Sequence, residues 1–255
     1  MAAYTTITGN LIYNIRAHNN HLIDLAMNKD WRIIFSNGKY TINSSIKKFN
    51  GSLQSSLNSR IYVIPKINIV STKWTASAWI YIDTIYGTSG GYIAAPFVDS
   101  DNGTSIAISF YRDGAKMFLE VHNSAPSSDW NILSKTETMP KKSWSHVGVV
   151  RDNNDIRVYL NGTLINSTTL QNSGSAFANK KYTGLTPIFN RTLSNGSNNS
   201  LHYVDDLVFI DNQVVWSGNS ISVPTDYFTG SYTGKIKNRM KIPSIYNSDS
   251  NIELY

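Results

Sequence analysis

Residues 143–162 read SWSHVGVVRDNNDIRVYLNG. Side chains alternate between the two faces of a strand, so apolar residues at every second position mark one buried face. Val147 and Val149 fall on one face of a first strand, and Ile156, Val158 and Leu160 on one face of a second. Between them Asp152-Asn153-Asn154-Asp155 holds only residue types that favour turns. Asn161-Gly162 supplies the positive φ values of a tight hairpin and sends the chain into TLINSTTL. The stretch predicts a three-stranded antiparallel meander. His146 shares a face with Trp144 and reads as a packing residue near the rim.

The same punctuation recurs outward from this point. Asn-Gly or Asp-Gly pairs begin at 37, 50, 102, 113, 161 and 195. In SIAISFYRDGAKMFLEV, Ile106, Ile108 and Phe110 alternate into the turn at Asp113-Gly114, and Met117, Leu119 and Val121 alternate out of it. TASAWIYID sets Ala76, Ala78, Ile80 and Ile82 against Ser77, Trp79 and Tyr81. SRIYVIP and DWRIIFS are shorter strands, and HYVDDLVFI is an apolar run interrupted by Asp205 and Asp206. One of these two aspartates is expected to accept backbone hydrogen bonds from a neighbouring loop. Only LIDLAMN, residues 22–28, suggests a short helix. Many short strands divided by turn signals predict an all-β sandwich or barrel.

Composition narrows the function classes. A chain of 255 residues buries roughly 70 to 75% of its unfolded surface and needs no staples. It has no cysteine, which removes disulfides and thiolate metal sites together. The net charge of +6 reflects few acids, with Glu120, Glu137 and Glu253 the only glutamates. The lysines are spread along the chain, so the charge reads as solubility rather than a nucleic-acid tract. MAAYTTITGNLIYNIRAHNN lacks the basic and apolar regions of a secretion signal, and no run approaches a membrane span. The expectation is a soluble protein made in the cytoplasm, with neither nucleic acid nor membrane as partner.

Several constellations invite a chemical reading. GTSGG at 87–91 matches a Gly-x-Ser-x-Gly elbow, but that motif needs a following helix, and YIAAPFVDS is strand-like. A Gly-rich loop is the expectation. His18, His21 and Asp24 have a spacing that suits a metal on a helix, and surface polar residues are the preferred reading. Trp31, Trp74, Trp79, Trp144 and Trp216 lie in or beside strands and are read as core. Trp130, in SAPSSDWN, is read as lying in a polar loop, where it can stack on a sugar ring while Asp129 and Asn131 bond the hydroxyls. Tyr182, which joins this candidate glycan site, and Tyr86 are weaker candidates of the same kind. No phosphate-binding loop, dinucleotide fingerprint or RNA-binding signature is present.

The run from Trp144 and His146 through Val149-Val150-Arg151-Asp152 to Ile156-Arg157-Val158-Tyr159-Leu160-Asn161-Gly162 resembles the signature meander of laminin-G-like (concanavalin A-like lectin/glucanase) jelly rolls. KKFNGSLQSSLNSRIYVIP, STKWTASAWIYID and YVDDLVFIDNQVVW resemble other strands of that family in the same order. The resemblance implies a two-sheet antiparallel jelly-roll sandwich over residues 30–228. Residues 1–29 are then an N-terminal extension or edge strand, and 229–255 a basic tail or edge strand carrying KIKNRMKI. Relatives bind calcium at the rim, which makes Asp99 and Asp101 candidate calcium ligands, although Gly103 occupies the third oxygen position. The Glu-x-Asp-x-(x)-Glu of the glucanases is absent: Val121, His122 and Asn123 follow Glu120. A glycosidase is therefore disfavoured. Resemblance and composition point to a non-enzymatic virion protein of a bacteriophage, a head or tail fibre or decoration protein. Its expected partners are other virion proteins, copies of itself in a homo-oligomer such as a trimer, and cell-surface glycan. A carbohydrate-binding module of a secreted, extracellular bacterial protein is the alternative.

Overall fold

A computed structural model describes residues 10–18, 21–24, 32–35, 41–54, 61–64, 72–85, 91–98, 105–113, 116–124, 130–137, 139–169, 186–189, 200–226 and 241–243. The strands, in chain order, are β1 (Asn10–His18), β2 (His21–Asp24), β3 (Arg32–Phe35), β4 (Thr41–Asn43), β5 (Ser52–Gln54), β6 (Ile61–Ile64), β7 (Lys73–Ile85), β8 (Gly91–Val98) and β9 (Ser105–Asp113). They continue with β10 (Lys116–Ser124), β11 (Trp130–Glu137), β12 (Trp144–Asp152), β13 (Asp155–Leu160), β14 (Thr163–Thr169), β15 (Thr186–Phe189), β16 (Ser200–Asp211) and β17 (Lys241–Pro243). No helix forms among the described residues.

The large sheet runs β14-β13-β12-β7-β16-β1-β2-β17, with β5 also paired to β16 and β4 to β5. A four-stranded sheet, β11-β10-β9-β8, and a three-stranded one, β15-β6-β3, complete the architecture. β15 lies against β8, and β8 in turn approaches β7 and β16, so the smaller sheets form the second layer. All pairings are antiparallel. This is the two-layer jelly roll that the family resemblance implies. Asn10–Asp24 and Lys241–Pro243, from the two terminal segments, build β1, β2 and β17 of the large sheet.

The opening stretch folds as β12, β13 and the start of β14. Val147 stands opposite Leu160 and Val149 opposite Val158, so the two apolar sets share a face. Asn153 has φ 57° and Asn161 φ 49°, the left-handed values a two-residue hairpin demands of its turn residues. The Asn153 N–H donates to the Thr72 carbonyl, and the Arg151 Nε–H to the Asn153 carbonyl, which anchors the turn to the sheet. The buried set on the Val149 face continues through Trp74, Ala76, Ala78 and Ile80 of β7 and Phe209 of β16. Each fully buried Val, Ile or Leu here stabilises by about 1.5–3 kcal/mol.

Alternation alone does not describe this sheet, because Ser145–Arg151 are buried on both faces. A second core cluster on the opposite face joins Val150, Tyr159, Val208, Ile210 and Trp216, with Leu164, Val214, Val215 and Ile221 against it. The segment after β16 folds back over the sheet to make it. Where a helix is expected around LIDLAMN, Leu22, Ile23 and Asp24 lie in β2, and residues 25–28 lie outside the described residues. The ladder with β1 satisfies the backbone there and sets His18 opposite His21 across a hairpin, so the helical spacing proposed for His18, His21 and Asp24 has no helix to act on.

Candidate functional site

The face of the large sheet that carries Trp79 is ordered in levels along β7. At the first level Thr75 Oγ1 donates to the Gln213 carbonyl and accepts from the Val215 N–H, which straps residues 213–221 onto the sheet. Tyr159 Oη donates to the Gly218 carbonyl, Leu164 N–H to the Asn219 carbonyl and Ile221 N–H to the Gly162 carbonyl, completing the strap. At the next level Trp216 plugs the space over Gly148, where a Cβ would stand 2.7 Å from Trp216 Cζ3. Only glycine admits the indole there.

The third level is a packed aromatic row. His146 lies 5.3 Å from Trp79 and 5.7 Å from Trp216, edge to face with both. It is 1% exposed, and neither ring nitrogen has a hydrogen-bond partner among the described residues. Burial, with Lys48 adding repulsion, pushes its pKa down to about 3. His146 is thus a neutral packing residue, as expected from its face. Across Trp79 stands Asp205, whose carboxylate accepts from the Phe49 N–H at 3.3 Å and the Asp206 N–H at 2.9 Å. Asp206 takes φ 47° at the irregularity that falls between Asp205 and Val208. The anticipated backbone-binding aspartate is therefore Asp205, and a β-bulge aims it.

The loop between β4 and β5 closes over this level. Asn43 Oδ1 accepts from the N–H groups of Ser45 and Ile46, and Ser52 Oγ donates to the Ile46 carbonyl, which folds the loop back. Phe49 meets Trp79 edge to face at 6.3 Å, and Lys48 Nζ sits 3.6 Å over the Trp79 ring. The lysine is half-buried, and its desolvation lowers its pKa. No carboxylate lies within ion-pair distance of Lys48 among the described residues.

The fourth level lies just beyond this cover. Tyr81 faces Trp144 on one side, at 5.7 Å, and Tyr203 on the other, at 5.6 Å. Tyr81 and Trp144 are half-exposed and Tyr203 is 4% exposed. Beside Tyr203 stands Gln54, whose Oε1 accepts from Asn43 Nδ2. Asp83, two positions past Tyr81 on the same face, is half-exposed and accepts from Thr84 Oγ1. Burial raises the Tyr203 pKa, and the Asp83 carboxylate and the Tyr81 phenol raise it further. On the β12 side the Lys142 N–H donates to the Ile82 carbonyl, which brings the exposed Lys141 and Lys142 to this level. The result is an aromatic floor bordered by a carboxylate, amides and ammonium groups. Such a floor can take the C–H face of a sugar ring while its border bonds the hydroxyls.

Of the expected site residues, only Trp130 and Asn131 lie within the described residues, as strand positions. Trp130 opens β11 opposite Ser124, and Asn131 pairs with Asn123, so the loop reading of Trp130 is corrected. The ladder of β10 runs to Ser124 and recruits Trp130 as its last partner. Asp129, Tyr182, Tyr86, Asp99 and Asp101 lie outside the described residues, as does Trp31. Among the described residues no group of three or more His, Asp or Glu could hold a metal ion. Residues 87–90 lie outside them as well, yet a strand and not a helix follows at Gly91, against the elbow reading. Trp74, Trp79 and Trp216 are core as expected, whereas the half-exposed Trp144 is not. The Tyr81–Trp144–Tyr203 row was missed because its members meet only through pairing of β12, β7 and β16.

The family described as the Concanavalin A-like lectin/glucanases superfamily matches residues 55–187, just over half of the chain. No curated protein sequence matches. Among solved structures, one is of botulinum neurotoxin type C, which depends on interaction with two ganglioside molecules to enter cells. It superposes with a TM-score of 0.57 at 18% identity, over 79% of this chain and 47% of that one. The binding domain of botulinum neurotoxin DC in complex with rat synaptotagmin II gives 0.55 at 18%, over 79% and 48%. Domain 4 of an extracellular arabinanase from Geobacillus stearothermophilus, in complex with arabinotriose, gives 0.57 at 16%, over 78% and 94%. The chain spans about half the length of the toxin chains it matches. These likenesses are likenesses of fold, and with the sequence match they make the chain a member of the concanavalin A-like lectin/glucanases superfamily.

Proposed function

We propose that this protein is a non-enzymatic, lectin-like jelly roll that binds glycan, and that it does so as a structural or adhesive part of a bacteriophage virion. The observation that carries the binding reading is the Trp144–Tyr81–Tyr203 row, half-exposed at Trp144 and Tyr81 and buried at Tyr203, with its polar border. The superposed structures support it, since one holds arabinotriose and another belongs to a toxin that interacts with gangliosides. The missing glucanase carboxylates support a binding rather than a hydrolytic role. The cysteine-free, Asn- and Tyr-rich composition supports the virion setting. Its partners there are other virion proteins and further copies of the chain.

Binding is tested on an immobilised oligosaccharide panel with the native protein and Trp144→Ala. The native chain binds members of the panel, Trp144→Ala weakens binding by about tenfold, and neither releases reducing ends. Unchanged affinity in a folded Trp144→Ala variant refutes this placement of the site. The virion role is tested by sedimentation: a defined oligomer such as a trimer supports it. A strict monomer favours the second reading, a carbohydrate-binding module of a secreted bacterial protein, which the 94% coverage of the arabinanase domain recommends.

A further inference from the structure

We infer that the Trp144–Tyr81–Tyr203 site selects acidic glycans, with the Lys48 ammonium pairing a carboxylate or sulfate of a sugar lying on the aromatic floor. The inference rests on the glycan-binding reading and adds the charge of the ligand.

Three features of the site carry it. Lys48 is held by its loop, not free to sweep: Asn43 folds the loop, Asp205 fixes the Phe49 N–H, and the ammonium sits 3.6 Å over Trp79. Trp79, the ring under the cation, precedes Tyr81 by two positions on the same face of β7, so its position stands one strand repeat, about 6.6 Å, from that of Tyr81 in the floor. That ammonium is half-buried with no carboxylate in ion-pair range among the described residues. A partly desolvated cation gains more from an incoming anion than a fully hydrated one.

The border as a whole has the same sign. Lys48 and its exposed neighbour Lys47 come from the loop on one side, and the exposed Lys141 and Lys142 from the segment whose Lys142 N–H meets Ile82 on the other. Opposing them are Asp83, at the far end of the floor, and Asp205, whose oxygens are taken up by backbone N–H groups. Four cations against two carboxylates leave the border positive, which favours an anionic occupant. Asp83 then serves a hydroxyl, where a carboxylate acceptor is the stronger partner. The aromatic floor restricts the anion to one carried on a ring with apolar C–H faces, which a bare polyanion lacks.

The test uses the intact protein and four probes: hexagalacturonate, its methyl ester, a heparin-derived hexasaccharide and cellohexaose. Dissociation constants are measured calorimetrically at about 0.15 M salt. Hexagalacturonate is expected to bind about tenfold more tightly than its methyl ester. Lys48→Gln removes most of that preference and leaves the ester and cellohexaose within about twofold. The heparin hexasaccharide carries sulfates in addition to uronate carboxylates, so tighter binding of it than of hexagalacturonate assigns a contribution to sulfate, and preference for either over cellohexaose supports the inference. Equal affinity for acid and ester together with no preference for the heparin hexasaccharide over cellohexaose, or a preference that survives both Lys48→Gln and Lys142→Gln, overturns it while leaving the glycan-binding reading intact. Equal binding of single-stranded DNA of matched charge also overturns it, since only the charge is then being read. Binding of none of the four sugars overturns the glycan-binding reading itself.

Discussion

Acidification should destabilise this fold through a single imidazole. His146 is enclosed by Trp79 and Trp216, and its ring nitrogens find no partner among the described residues. The charged groups on its face are Lys48 from the β4–β5 loop, which repels a second cation, and Asp205 from β16, already bonded to two backbone N–H groups. Folding therefore lowers the pKa from 6.5 to about 3. Below the unfolded value the unfolded chain binds a proton that the folded chain refuses. The stabilisation is complete above pH 6.5 and is lost as pH falls toward 3. At about 1.36 kcal/mol per unit, the loss is about 2 kcal/mol at pH 5. Urea unfolding followed by tryptophan fluorescence at pH 7.5 and 5.0 measures it, with His146→Phe as the reference. The phenyl ring keeps the edge-to-face packing and carries no titrating group, so the other ionisations of the chain cancel in the comparison. The native protein should lose about 2 kcal/mol more than the variant across this interval. At pH 7.5 the variant should match or exceed it, because two unpaired buried nitrogens are removed. Parallel losses in the two proteins would falsify the placement of a neutral, solvent-free His146.

Other perturbations follow from the same face. Gly148→Ala drives a methyl group to 2.7 Å from Trp216 Cζ3 and should cost about 2 kcal/mol in chemical denaturation; adding Trp216→Leu should recover most of it, and an unaffected single variant refutes the plug. Asp205→Ala leaves the Phe49 and Asp206 N–H groups without their acceptor and should cost about 3 kcal/mol. It should also speed amide exchange at Phe49 before it affects Val149; uniform exchange refutes its role as a loop anchor.

What the sequence determined by itself is the set of strands and the turns that join neighbours. Asp152-Asn153-Asn154-Asp155 and Asn161-Gly162 place their positive-φ residues where the chain reverses, and Val147, Val149, Ile156 and Val158 share one buried face. These are local properties, carried by residues within a few positions of each other. The tertiary structure decided whatever depends on partners distant in sequence. Alternation predicts one wet face for β12, but the strap of residues 213–221 buries both, and only Gly148 makes room for its tryptophan. The aspartate pair of β16 was visible, whereas the bulge that aims Asp205 at Phe49 was not. Trp144 looked like core because it opens a strand; it is half-exposed because the covering loop ends at Trp79. The aromatic floor exists only where β12, β7 and β16 come into register, and no window of the sequence contains all three strands.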